Sequence, residues 1–339
     1  MKKILMIGLV LAVAVPLLSI GQGQPTDTLG KVKARGKLVC GVNNSVPGFG
    51  FVNQQGGFSG FDIDYCKALA VAIFNNADAV TYRAVTAAER FTALASGEID
   101  VLIRNTTNTF LRDVQLKTDF APTTFYDGQG FLVRKASGVK KAEELKGATV
   151  CVLQGTTNEQ NVADFFRARS LSVTIKTFAD VDPLYAAYEA GTCDSVSQDR
   201  SQLAARRTLL KVPTDHIILD NTISKEPLGP VVNQGDATWA DLVRWVVYCT
   251  TAGDELGLNS QNVAQQIANN KDPQVRRVLG LEGEFGKFLG VDNAWCANII
   301  AKVGNYEEIY SRNLKSLGLE RGLNDSWTQG GLIYTPPFR

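Results

Sequence analysis

Histidine is almost missing from this chain: its 339 residues contain one, His216. Metal sites built on several imidazoles are therefore excluded, and any histidine-dependent triad or proton relay rests on a single residue. A surplus of either charge is missing as well. Lys plus Arg number 35 and Asp plus Glu 34, a net charge of +1, which leaves no electrostatic footprint for nucleic acid. Gly-x-Gly-x-x-Gly and Gly-x-x-x-x-Gly-Lys-Ser/Thr do not occur, so nucleotide binding has no support in the sequence. No Gly-x-Ser-x-Gly elbow marks a hydrolase serine, and the carboxylates are scattered rather than paired. Low-complexity tracts are absent too. With 45% hydrophobic and 20% charged residues, the composition is that of a folded globular protein long enough for two domains.

Long apolar runs are missing everywhere except at the start. Lys2 and Lys3 precede an almost unbroken apolar stretch over residues 4–20, and small residues follow, with Ser19 and Gly21 or Gly21 and Gly23 spaced for cleavage. This is the pattern of a cleaved export signal over 1–23. The alternative, a membrane anchor, needs more than this run of 17 residues comfortably supplies, and polar residues follow where a basic stop-transfer flank belongs. No cysteine lies near the cleavage point, which disfavours a lipid anchor. Removing 1–23 leaves 33 basic and 34 acidic residues, a net charge of −1. The mature protein is expected outside the cytoplasm.

An oxidising compartment makes the six cysteines disulfide candidates. They are Cys40, Cys66, Cys151, Cys193, Cys249 and Cys296, with no Cys-x-x-Cys pair. Six cysteines allow fifteen connectivities, and sequence alone does not choose among them. Each successive pair brackets one βα region, and on that placement the expected bonds are Cys40–Cys66, Cys151–Cys193 and Cys249–Cys296. Buried free thiols are the alternative.

Two stretches of alternating strands and helices indicate an α/β fold. In the first, a strand over 38–42 leads through a loop to a hairpin. An amphipathic helix follows over 62–74, with Ile63, Cys66, Ala70 and Ile73 on one face and Asp62 and Asp64 at its positive end. A strand over 80–85, a helix over 88–96 stopped by Gly97 and a strand over 100–103 complete it. The second stretch repeats the grammar: strand 149–153, a helix from Thr157, strand 172–177, a helix over 181–190 stopped by Gly191, then strand 194–197 running into Asp199. Extended segments at 126–134 and 224–233 join the two. The expected organisation is a first lobe of 24–133 plus 225–339, with a helix-rich C-terminal part, and a second lobe of 134–224. Two crossings make a hinge, and the cleft between the lobes is the default ligand site.

Four phrases in order carry a family resemblance. They are Gly60-Phe61-Asp62-Ile63-Asp64-Tyr65-Cys66-Lys67-Ala68-Leu69-Ala70; Thr107-x-Thr109-x-x-Arg112 followed by Asp119-Phe120-Ala121-Pro122; Gln154-Gly155-Thr156-Thr157; and Gln198-Asp199. Phrases at 223–230 and at Val303-Gly304-Asn305-Tyr306 extend the likeness to roughly residues 36–339. Together they resemble bacterial solute-binding protein family 3, the polar amino-acid receptors of ABC importers, and within it the receptors of broad L-amino-acid range. The resemblance implies the two-lobed, type II periplasmic-binding-protein fold and capture of a free L-amino acid by hinge closure. It also implies delivery to an inner-membrane ABC permease by a monomeric receptor that needs no cofactor or metal and is not an enzyme.

The chemistry of a zwitterion leads to the same residues. A carboxylate calls for a planar guanidinium with hydroxyls or backbone N–H groups: Arg112, with Thr107 and the Gly155-Thr156-Thr157 turn at a helix N-terminus. An ammonium calls for a carboxylate and neutral acceptors: Asp199, with Asn105. In the family the matching Arg and Asp hold these two groups. Asp199 also suits an N-cap. Phe49 either stacks on the ligand's aliphatic part or packs in its lobe. Arg104 stands where related receptors have a small residue, and either pairs with an acidic ligand side chain or faces solvent. Glu89, Arg90 and His216 read as structural. Two other functions remain open on this fold: an enzyme resembling cyclohexadienyl dehydratase, and a receptor reporting to a membrane sensor.

Overall fold

The computed structural model describes residues 27–339; the expected signal over 1–23 lies outside the described residues. Two five-stranded sheets form the frame. In the first, the strands run Val80–Ala84, Leu38–Val42, Val101–Leu102, Val231–Asn233 and Thr118–Phe120 in spatial order. The second runs Thr174–Phe178, Thr149–Leu153, Ser195–Asp199, Gln129–Arg134 and His216–Ile218. The two orders are the same. In each, three parallel strands come from consecutive βα units, with the first in the middle, and the fourth strand enters antiparallel from a segment that passes between the sheets. The result is a two-lobed α/β fold.

The passing segments pair with each other. Phe125–Asp127 and Glu226–Leu228 form a two-stranded antiparallel ribbon with Glu226 opposite Asp127 and Leu228 opposite Phe125. Gly128 follows directly, and a Cβ there would lie 2.3 Å from Thr222 Cγ2 and 2.9 Å from the Ser224 carbonyl oxygen, so the close crossing needs glycine.

The helix Phe61–Phe74 departs from the expected amphipathic pattern. Eleven of its fourteen residues are buried, Asp62 and Asp64 among them. Its second face is covered by the C-terminal helices Ala237–Glu255, Trp295–Lys302 and Tyr306–Leu314, so it has no solvent side. The two aspartates serve distant partners: Asp64 takes Arg312 and Asn313, and Asp62 takes the backbone of Asn105. Phe49, Phe61, Tyr65, Phe125, Tyr306 and Tyr310 meet in one aromatic cluster at the centre of this core. The second lobe has smaller cores on either side of its sheet.

Gly97 and Gly191 end the helices Arg90–Ala95 and Val181–Glu189 with φ of 75° and 81°. Disulfides join Cys40 to Cys66, Cys151 to Cys193 and Cys249 to Cys296, the successive-pair arrangement. The first ties a strand to the helix packed on it, the second a strand to the loop after the helix Val181–Glu189, and the third two packed helices. No helix among the described residues is long and apolar enough to cross a membrane.

Candidate functional site

The strand Val101–Leu102 ends where the first lobe faces the second, and the chain then turns sharply through 104–109. Asn105 holds φ at 32°, in the left-handed region that asparagine tolerates better than most residues. Two contacts keep it there. Its N–H donates to the buried Asp62 carboxylate at 2.7 Å, and its Oδ1 accepts from Asn43 Nδ2 at 3.2 Å. The loop is also clamped to the second crossing: Asn108 N–H donates to the Pro227 carbonyl, and Gly229 N–H to that of Thr106.

Arg112 lies on a single π-turn, Leu111–Gln115, and donates from a guanidinium nitrogen to the Thr107 carbonyl at 2.8 Å. It lies over the Phe91 ring, as does Arg90, their guanidinium carbons 5.3 and 5.1 Å from the ring centroid. Arg104, also buried, donates to the Val85 carbonyl at 2.7 Å. Burial holds all three arginines below the usual guanidinium range, Arg104 at about 10 and Arg90 furthest. The like charges of Arg112 and Arg104 depress Arg90 further, and its Nε is buried without a partner.

The second lobe supplies an opposing surface. After the strand Thr149–Leu153, Gly155 (φ 72°) turns the chain into the helix Thr157–Arg167. This turn abuts the first lobe, where a Cβ on Gly155 would lie 3.3 Å from Ala88 Cα. Asp199 closes the strand Ser195–Asp199 and stands at the N-cap of the helix Arg200–Arg207, without capping it by its side chain. Its carboxylate instead accepts from Asn158 Nδ2 at 2.8 Å and Gln202 Nε2 at 2.9 Å. Burial raises the Asp199 pKa well above the ordinary carboxylate range. The nearby carboxylates of Asp127 and Glu226 add to that, and the two amide donors oppose it.

Between these surfaces lies a cavity of about 20 Å³. Arg90, Arg104, Asn105, Thr107 and Arg112 line it from the first lobe, and Thr156, Thr157, Asn158, Asp199 and Gln202 from the second. A second cavity of about 110 Å³ shares Arg104 and Leu153 with it and extends along Asn43, Asn44, Ser45, Thr86 and Asp180. The lobes touch across this region: Arg206 of the second donates to the Ser45 carbonyl of the first at 2.8 Å.

Arg112, Thr107, Asn105, Arg104, Thr157 and Asp199 thus converge from three separate stretches, with Gly155 at the adjoining turn. Phe49 does not join them. Its side chain is fully buried in the aromatic core, its ring 5.2 Å from that of Phe125, because the loop between Gly48 and Gly50 folds inward onto the helix Phe61–Phe74. The expectation that it touches a ligand is corrected. Arg90, read from sequence as structural, lines the cavity. Its one signal is a charge opening the short apolar phrase Phe91-Thr92-Ala93-Leu94. Glu226 carried no reading at all, yet both threonine hydroxyls are given to it: Thr107 Oγ1 at 2.6 Å and Thr157 Oγ1 at 2.9 Å. His216 pairs with the Tyr188 hydroxyl at the edge of the second sheet.

The model of bacterial extracellular solute-binding proteins, family 3, matches residues 38–256. The chain belongs to this family. Among curated relatives, the glutamate/glutamine/aspartate/asparagine-binding protein BztA of Rhodobacter capsulatus is 48% identical over 92% of this chain and 94% of its own. The general L-amino acid-binding periplasmic protein AapJ of Rhizobium johnstonii is 46% identical over 97% and 98%. Among solved structures, a periplasmic binding protein of an ABC transporter from Brucella ovis, with glutathione bound, superposes with a TM-score of 0.91 at 46% identity, covering 93% of this chain and all of that one. These relatives also span the helices Trp295–Lys302 and Tyr306–Leu314, which lie beyond the matched region of the family model.

Proposed function

We propose that the protein is the periplasmic substrate-binding component of an ABC importer for L-amino acids. The observation that carries this reading is the opposition of Arg112 on one lobe and Asp199 on the other across a buried cavity. A ligand α-carboxylate pairs with Arg112 and, beside it, Arg90. Its ammonium pairs with Asp199, and neither group then stays in low dielectric without its opposite charge. The helix N-terminus at Thr157 favours the carboxylate further.

The ligand side chain points along Arg104 toward the larger adjoining cavity, whose polar lining of Asn43, Asn44, Ser45 and Thr86 suits side chains that end in oxygen. The names of the relatives, one specific for acidic amino acids and their amides and one general, support a range that includes glutamate and aspartate. The glutathione in the Brucella ovis structure is consistent with a site that takes a glutamyl group bearing more than a free amino acid does.

Capture requires opening. A cavity of about 20 Å³ holds roughly one water molecule, so a ligand enters only when the lobes part. Pivoting at the ribbon of Phe125–Asp127 and Glu226–Leu228 moves the first sheet and its helices against the second lobe, which takes in the strand Gln129–Arg134 and so begins near residue 129 rather than at the expected 134. The ligand favours the closed state by touching both. The receptor works as a monomer, and an inner-membrane permease recognises the closed form. The chain carries out no chemistry on its ligand.

The test is a thermal-unfolding screen of the mature protein against the common L-amino acids, after refolding to strip bound ligand. Glutamate, glutamine, aspartate and asparagine are expected to raise the midpoint. Their effect should vanish in Arg112→Ala and Asp199→Asn, each expected to weaken binding about a hundredfold or more by leaving the opposite charge unpaired. A wild-type protein that folds well and responds to no amino acid contradicts the reading, and turnover of a cyclohexadienyl substrate would replace it with the enzyme.

A further inference from the structure

Glu226 is a charged residue buried at the pivot, with 1% of its surface exposed. It sits on the crossing ribbon, opposite Asp127. Its carboxylate accepts four hydrogen bonds from three parts of the molecule. Oε2 takes the Thr107 hydroxyl of the first lobe at 2.6 Å and the Thr157 hydroxyl of the second at 2.9 Å. Oε1 takes Asn161 Nδ2 of the second lobe at 2.8 Å and the Ser224 hydroxyl of the crossing at 2.5 Å. Those four donors fill the acceptor sites a carboxylate has.

This arrangement has two consequences. A saturated carboxylate has no acceptor left for a ligand ammonium, so Glu226 does not duplicate Asp199. In addition, the hydroxyls of Thr107 and Thr157 are already donated to the protein, which leaves a ligand carboxylate to the arginines and the helix N-terminus. When the second lobe swings away, the bonds of Thr157 and Asn161 to Glu226 cannot survive together with that of Thr107. Charge-assisted hydrogen bonds are the strong ones, and these exist only while the cleft is shut.

We propose that Glu226 is an interlobe latch: a resident carboxylate that binds both lobes and holds part of the ligand-free population closed. The proposal rests on the two-lobed closure described above, but not on the identity of the ligand. A receptor whose binding-competent state is partly populated beforehand binds every ligand more tightly by the same factor. The latch therefore sets the overall affinity, and Arg112, Asp199 and Arg104 set which ligand is chosen. Glu226 and Asn161 are positioning residues, and Asn161 is not among the residues that line the cavity.

The experiment compares small-angle X-ray scattering of the refolded, ligand-free wild type with Glu226→Gln and Asn161→Ala, each checked for native circular dichroism. Both variants are expected to show a larger radius of gyration than the wild type. In both, L-glutamate should restore the wild-type liganded radius, with its dissociation constant raised roughly tenfold. Aspartate, glutamine and asparagine should weaken by the same factor, a uniformity that a lost contact to the ligand side chain would not produce. Equal ligand-free radii in the wild type and a folded Asn161→Ala overturn the latch. If L-glutamate changes nothing in any of the three proteins, the amino-acid reading fails instead, while the ligand-free comparison still decides the latch.

Discussion

Asp199 is a carboxylate held by two amide donors and pressed by two carboxylate neighbours. With its pKa raised, it retains a proton in the ligand-free protein at pH values where an ordinary aspartate has lost it. An incoming ammonium reverses this by stabilising the charged form. Binding should therefore release a proton, and affinity should fall as the pH is lowered. Calorimetric titration in two buffers of different ionisation enthalpy measures the release directly. Different apparent heats are expected for the wild type. Identical heats would mean that Asp199 is already charged or does not meet the ammonium. The residues at this scale were unequally legible. Arg112 and Asp199 stand in phrases whose spacing carries a family pattern. Arg90 follows Glu89 and Glu226 follows Lys225, so each reads locally as half of an ordinary charge pair, and only the fold brings them to the cleft. Phe49 was ambiguous because a loop aromatic between glycines serves a core or a site equally well, and nothing local says which way the loop folds.

The elements were read best where their signals are local. Alternating strands and helices, the stop at Gly97 and Gly191 and the start of the helix at Thr157 all depend on neighbours in sequence. The helix Phe61–Phe74 was misread as amphipathic because its second covering layer comes from residues about 180 positions or more later, beyond any local period. Its start shows how tight that packing is. Gly60 has φ of 133°, and a Cβ there would lie 2.1 Å from the Phe49 carbonyl oxygen. Gly60→Ala is expected to destabilise the protein by about 2 kcal/mol or more, measured as a lower denaturant midpoint; an unchanged midpoint would mean the helix start shifts freely. The Cys151–Cys193 bond closes a loop across the second sheet, with 42 positions between its ends. Replacing both cysteines by serine should cost about 3 kcal/mol in denaturant unfolding. Glutamate binding by the folded fraction should persist, since neither cysteine lines the cavity.

The whole molecule carries several carboxyls that burial makes harder to ionise. Asp62 and Glu255 are raised to about 7 and Asp127 to about 6, while in an unfolded chain they titrate near 4. The folded state therefore binds more protons between those limits. The resulting stabilisation is complete below about pH 4 and is lost as the pH rises through 6 to 7. Unfolding at pH 5 should need more denaturant than at pH 8, and the opposite order would place these groups in contact with water. The two-lobed plan itself was legible from repeated βα grammar and from two extended segments. The way those segments pair as a ribbon and carry Glu226 was not, because pairing register depends on chain far apart in sequence.

The central claim is that one zwitterion bridges Arg112 and Asp199 and so closes the lobes. Calorimetric titration of the refolded wild type, Arg112→Ala and Asp199→Asn with L-glutamate tests it most directly. Saturable one-to-one binding is expected for the wild type, and binding weakened about a hundredfold or more in each folded variant. Wild-type affinity retained by either variant would contradict it.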